Sequence, residues 1–472
     1  MTPPQSPDDR GTIAALLAPD ILALLDEEPG SVAAETEELH PADLADVVAA
    51  IPRERIAQLI AALPSGRAAD VLEYLDEELR TELLETMSTR DAATLVSEMT
   101  PDDRADVLEE LEEEQAAEIV SALPPEARRE TERLLSYEPD TAGGLMTTEF
   151  VSVAETMTVE QALAAVRVLA RSGRREAMHN IYATDAAGRM HGVMSLRELL
   201  AAGEGTRVSE VAWQEVVSVP PTADREEVAS LTKKYDLVAV PVVDEEHRIL
   251  GVVTVDDVID ALVEEQTEDV QKLGGMQALE EPYIQSGFFE MIRKRAGWLA
   301  ALFIGELMTA SAMQHFEGEL ARALVLTLFI PLIISSGGNS GSQATTLIIR
   351  AMALGEVGLR DWWRVALREL PTGLTLGIIL GLLGFVRVVL WHRLGMADYG
   401  PHHVLIGLTV SAAVLGVVTF GSLAGSMLPF LMRRIGFDPA SASAPFVATL
   451  VDVTGLLIYF TTALMLLRGT LL

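Results

Sequence analysis

No cysteine occurs among the 472 residues, so disulfides, thiolate metal sites and thiol catalysis are excluded. Histidine is sparse, with eight copies and no metal-type cluster. No P-loop and no nucleophile–base pairing is recognisable, which argues against an enzyme. Basic residues are scarce too: 35 Lys and Arg stand against 70 Asp and Glu, for a formal charge of −35. The shortage is local. Before Gly297 there are 61 acids and 25 bases, and from Gly297 onward nine and ten. So acidic a region excludes nucleic acid as a partner, because binding it takes Lys and Arg to displace counterions. It points instead to cationic partners or a self-repelling surface. The stretch MTPPQSPDDR has no basic segment and no apolar run behind it. It does not read as a secretory signal, so the acidic part is expected to stay in the cytoplasm.

What is present begins with a repeat. At a spacing of 12 residues, seven segments align, starting at Ala45, Ala57, Ala69, Thr81, Ala93, Ala105 and Ala117. Each carries aliphatics at i, i+1 and i+4, one face of a helix, and then a turn residue. Short helices that bury one face on their neighbours predict a helical solenoid.

After the Gly-containing junction YEPDTAGGLMTTEF (Tyr137–Phe150) the texture changes to β-branched runs alternating with helical ones, and the block is duplicated. EFVSV at Glu149 matches EVVSV at Glu215, and IYATDAAGRMHGVMSLRELL matches VPVVDEEHRILGVVTVDDVI. Each half ends in a strand-to-helix junction, at Gly192 and Gly251. This resembles a tandem pair of CBS domains, regulatory modules that commonly bind adenine nucleotides or metal ions.

Next comes DDVIDALVEEQTEDVQKLGG (Asp256–Gly275). On a helix, Asp257, Asp260, Glu264 and Glu268 share one face, while Val258, Ile259, Leu262 and Val263 occupy another. Lys and Arg are absent from Ile249 to Val270, so no i,i+4 partner is expected to relieve the repulsion. A solvated acidic face is one reading. A divalent ion bridged to an opposing acidic surface is the other.

Five apolar segments follow, at about 297–315, 321–348, 370–391, 403–431 and 445–467, each long enough to span a bilayer. Loop charges give the orientation. Arg293, Lys294 and Arg295 precede the first span; Arg350, Arg360, Arg364 and Arg368 follow the second; Arg433 and Arg434 follow the fourth. The alternate loops hold only Arg322 and Arg393. The acidic part and the basic loops are therefore expected inside, and the C-terminus outside.

The second span contains PLIISSGGNSGSQATT (Pro331–Thr346). Its Pro331, Gly337, Gly338, Ser340 and Gly341 predict an irregular or broken helix, tolerated at membrane depth where it is buried or lines a water-filled cavity. Close helix packing through small residues is the alternative. On the first reading Gly337, Gly338 and Asn339 line the pore. The last span carries one acid, Asp452, costing roughly 2.5–3.5 kcal/mol even on lenient scales. The main basic residue in the spans, Arg387, lies near the outer end of the third. A two-fold dimer would bring two copies of Asp452 together with amide and carbonyl oxygens. That donor set suits magnesium, which dehydrates reluctantly and can be held through its waters. Asp452 is thus read as the ion-binding residue, with Glu306 of the first span as a second acid that could line the same path.

In this order, solenoid, CBS pair, acidic helix and five spans resemble the MgtE family of magnesium channels. The marks are YEPDTAGGLM, PLIISSGGNSGSQATTLIIRA and GFDPASASAPFVATLVDVTGLLIYF, and the likeness runs from about residue 40 onward. It implies a multidomain chain combining all-α, α/β and membrane α parts: an acidic extension over 1–40, a helical solenoid over 41–136 and tandem CBS domains over 137–262. A connecting plug helix over 263–292 and a five-helix transmembrane domain over 293–472 complete it. It further implies a homodimer in the cell membrane with the pore on its two-fold axis, Asp452 holding hydrated magnesium, and ATP as a ligand of the CBS pair. Cytosolic magnesium would close the pore through Asp224, Glu226, Asp257, Asp260, Glu265, Glu268, Asp269 and Asp438, with Asp102 and Asp106 as solenoid partners. The rival readings are an ion-coupled divalent-metal secondary transporter and a membrane-tethered CBS sensor of nucleotide or metal.

Overall fold

The computed structural model describes residues 7–171, 180–203, 205–279, 283 and 286–471. The first six residues of the stretch read as no secretory signal lie outside the described residues, as does the side chain of Arg322. The chain divides into two compact units, Met1–Leu262 and Val263–Leu472.

The repeat governs the first unit. Eight helices begin at Pro41, Arg53, Ser65, Glu77, Thr89, Pro101, Glu113 and Pro125, one every twelve residues. The period leaves each helix two or three turns, with Leu59, Leu72, Leu84, Val96 and Leu108 at its inner face, all essentially buried. Pro101 and Pro125 stand at helix starts, where the missing N–H costs nothing. Ahead of the repeat, the helix Pro7–Glu27 buries Ala14, Ala18, Ile21 and Leu25 in the same core. The acidic extension thus includes a helix that covers the open end of the solenoid, as terminal repeats require.

In the first CBS half, β1 (Val151–Ala154), β2 (Asn180–Thr184) and β3 (Met190–Ser195) form one sheet, β1–β2 parallel and β2–β3 antiparallel. The second half repeats the hairpin as β4 (Ala239–Val243) and β5 (Ile249–Thr254). A parallel bridge from Val219 to Val242 takes the place of β1 there. The junction is laced into the second half, with Ala142 N–H donating to Ala223 O and Thr147 N–H to Val252 O. Its glycines allow that approach: a Cβ on Gly143 would lie 2.6 Å from the Tyr137 ring, and one on Gly251 would lie 2.5 Å from Thr147 O.

A single helix, Val255–Leu273, carries both the last CBS turn and the acidic stretch. Among the described residues five helices then have the length and composition to cross a membrane: Phe288–His315, Leu324–Ala353, Leu359–Arg393, His403–Arg434 and Ala444–Leu467.

The expected break in the second span is not there. Ile330–Ala353 is one unbroken α-helix. Pro331 falls in its first turn, where it removes no helical hydrogen bond. The glycines pack instead of bending. A Cβ on Gly337 would sit 2.4 Å from Val417, and one on Gly425 would sit 2.2 Å from Gly341 O. Gly337 and Gly341 on the second span thus meet Gly421 and Gly425 on the fourth, small residues four apart on both sides. Ser340 and Ser422 share a buried hydrogen bond of 2.7 Å, and Thr345 donates to Gly425 O at 2.8 Å. The third span lies on the fourth through Gly373, Gly377 and Gly381 in the same way.

Candidate functional site

Three groups of carboxylates stand out. The first lies within the first unit, where the solenoid helix Pro101–Glu109 meets the start of Val255–Leu273. Asp102 is only 5 % exposed, and its Oδ1 has no hydrogen-bond partner. Burial and the charge of Asp103 raise its pKa to about 6. Asp257, hydrogen-bonded by the Thr254 hydroxyl, is raised to about 8 by burial and by the charges of Asp102, Asp256 and Asp103. Asp106 keeps an open solvent face in a crowded groove; burial by its surroundings and the charges of Asp102 and Asp103 raise it to about 7. Asp260 is raised by burial and Asp256. Glu73 reaches about 8 through burial and the charges of Asp103, Asp70 and Asp102.

Mutual charge effects thus place Asp102, Asp106, Asp257 and Asp260 in one neighbourhood with Asp103, Asp256 and Glu73, although among the described residues no three acids stand close enough to hold a metal ion as they lie. Glu73 had a signal in the sequence: ADVLE occurs at Ala69 and again at Ala105, so Glu73 and Glu109 hold one repeat position. Asp224 is placed by a different task, capping the helix Arg225–Tyr235 with Oδ1 accepting from Glu226 N–H at 2.8 Å.

The second group lies within the other unit, at the end of Val255–Leu273 and in the loop before the last span. Burial and the charges of Asp438, Glu265 and Glu268 raise Asp269 to about 6. Asp438 caps a short turn through Ala440 N–H. Lys272 corrects the expectation that the acidic run lacks an i,i+4 partner. Its ammonium lies 2.5 Å from Glu268, four residues back, and 2.7 Å from Asp438. The basic gap ends at Val270, two residues too early to exclude it.

The third group is in the spans. Asp452 is half-buried on the last span, and the Glu306 carboxyl of the first span lies within hydrogen-bonding reach of it. The two helices touch just there, since a Cβ on Gly305 would meet Thr449 at 2.6 Å. Gly338 faces Ala448, one turn before Asp452, and Asn339 beside it is exposed. Gly337, by contrast, is sealed between Val417 and Val451. Its side of the helix is a packing surface and lines nothing. Arg387 leaves Asp452 unpaired, as it binds the Tyr399 hydroxyl at 3.1 Å and stacks on Trp391.

Hard oxygen donors with no soft ligands suit a divalent cation such as magnesium. Five apolar helices carrying an acid, joined to a CBS-bearing soluble region, define a multi-pass membrane transporter for a divalent cation. Comparison with known proteins agrees. Residues 39–140 match the MgtE intracellular N domain, 142–205 and 208–264 the CBS domain, and 330–462 the family described as a divalent cation transporter. The magnesium transporter MgtE of Thermus thermophilus is 44 % identical over 345 residues, 73 % of this chain and 74 % of that one. A crystal structure of the soluble part of a magnesium transporter covers 54 % of this chain and 99 % of its own, at 30 % identity and a TM-score of 0.50. The cytosolic domain of the Mg2+ channel MgtE, solved in complex with ATP, covers 52 % and 99 % at 39 % identity and a TM-score of 0.49. The chain belongs to the MgtE family of magnesium transporters.

Proposed function

We propose that this chain is a homodimeric channel that admits magnesium down its electrochemical gradient and is closed by magnesium on the cytoplasmic side. The cluster around Asp102 and Asp257 carries the reading. Carboxylates pushed this far above their ordinary range lose free energy by being ionised beside one another, and a bridging divalent cation removes that loss. The orphaned Asp102 Oδ1 is a ready ligand. Glu268, Asp269 and Asp438 form a second such site. Feedback of this kind is physically necessary, because the membrane potential drives a divalent ion inward with about 4.6 kcal/mol per 100 mV. Several ions binding only to the closed arrangement make closure steep.

Asp452 is the ion-binding acid of the path, with Glu306, Gly338 and Asn339 beside it. The apolar window of the first span buries none of its residues within one chain, which leaves a face open to a second copy. The loop charges set the C-terminus outside.

Magnesium uptake into dye-loaded proteoliposomes under an imposed potential tests the proposal. Wild type is expected to conduct with no proton or sodium gradient, and Asp452→Ala to lose the flux. Flux that needs such a gradient would establish the coupled transporter instead.

A further inference from the structure

Lys272 is the sole Lys or Arg between Arg248 and Arg293, and its position is specific. The ammonium links Glu268 on its own helix to Asp438 in the loop before the last span. Only a quarter of the side chain is exposed. Burial works against its charge, but the hydrogen bonds to Asp438 and Glu268 outweigh that and hold its pKa above the ordinary value. The ammonium faces Glu268 and Asp438, with Asp269 beside them. It brings one charge to the two carboxylates it touches, and a divalent ion in its place would bring two.

The backbone around Lys272 is held by other means. Leu273 packs against Ile349, Ala440 and Ala442. Gln277 N–H donates to Lys294 O at 3.0 Å, and Leu279 N–H to the Gln271 side chain at 2.6 Å. The ammonium, on four methylenes, can therefore leave without the helix leaving.

We propose that Lys272 is a built-in counter-cation of the gate, bridging Glu268 to Asp438 when magnesium is low and displaced when a magnesium ion takes its place. This rests on the reading of Glu268, Asp269 and Asp438 as a regulatory magnesium site. Competition of this kind raises the magnesium concentration needed for closure and so sets the working range of the sensor. A plain structural link would act in the opposite sense, since losing it would loosen the helix and make closure harder.

The test is open probability of the full-length channel in excised patches, with magnesium varied on the cytoplasmic side. For Lys272→Gln the half-closing magnesium concentration is expected to fall roughly ten-fold, on the scale of one screened charge acting on a divalent ion. Lys272→Arg keeps the charge and should stay within about two-fold of wild type. Asp438→Asn should raise the half-closing concentration. Lys272→Met, of similar length and uncharged, repeats the test should the Gln variant misfold on size exclusion. If Asp438→Asn shifts as expected while the Gln and Met variants stay put or move upward, Lys272 is a structural link and the inference falls alone. An unmoved Asp438→Asn removes the magnesium site itself, and the inference with it.

Discussion

Asp102, on a solenoid helix, and Asp257, at the start of Val255–Leu273, oppose each other's ionisation across the meeting of solenoid and second CBS half. After burial, the charge on Asp102 is the largest influence holding the Asp257 carboxyl at about 8. Thr254 donates to Asp257 and Thr100 to the neighbouring Asp103, yet Asp102 Oδ1 still lacks a partner. Hydroxyls alone do not satisfy the pair.

Removing one charge of the pair should therefore stabilise the metal-free protein and weaken its response to metal. In chelator, Asp102→Asn or Asp257→Asn is expected to raise the melting temperature of the detergent-solubilised chain, by about 2–4 °C for each kcal/mol of repulsion relieved. Saturating magnesium should then add less than it adds to wild type. The double variant should gain less than the two singles combined, because both remove the same repulsion. A lower chelator melting temperature in both variants would show that the carboxylates are already satisfied.

The same cluster fixes a pH dependence. Asp102, Asp106 and Asp257 are raised to about 6, 7 and 8, while unfolded carboxylates release their protons near pH 4. Between about pH 4 and 8 the folded chain holds more protons than the unfolded one, so stability falls as pH rises through that window. In chelator, the melting temperature is expected to be lower at about pH 8.5 than at about pH 5.5. Magnesium favours the ionised form and should narrow the difference. A melting temperature that climbs over this range would reverse the sign and exclude the cluster as its source.

The period of twelve was enough to place seven of the eight solenoid helices, because each short helix can bury only the one face its spacing provides. The duplicated strands and the five spans were legible for similar local reasons. Contacts between distant elements were not. Gly337 and Gly341 read as breakers until Gly421 and Gly425, some eighty residues on, turn out to be their neighbours. Asp103 and Glu73 join the acidic cluster only because the solenoid folds against the second CBS half. Lys272 escaped because a stripe of acids ended just before it, and its second partner lies 166 residues away.

The two glycine pairs predict a sharp contrast on substitution. Gly425→Ala would put a Cβ 2.2 Å from the Gly341 carbonyl oxygen, part of a backbone that cannot swing aside. Overpacking of this kind costs about 1–3 kcal/mol or more, so folded protein recovered from membranes should drop. At Gly338 the nearest atoms are those of Ala448 at 3.6 Å, and Gly338→Ala should express like wild type. Equal yields from the two variants would contradict the packing described for the second and fourth spans.

Glu306 is the remaining acid of the spans, and its effect should be graded against that of Asp452. The carboxyls are within hydrogen-bonding reach, yet Glu306 is exposed while Asp452 is half-buried. On the proposed reading the deeper group holds the ion, and Glu306 adds a second, more distant negative charge. One fully water-screened charge is worth about 1 kcal/mol at about 4 Å, so Glu306→Gln is expected to lower magnesium flux roughly three- to ten-fold. Asp452→Asn should abolish it. Glu306→Asp, which keeps the charge on a shorter stem, should recover part of the loss. If Glu306→Gln conducts as well as wild type, its carboxyl faces away from the ion path and Asp452 acts without it.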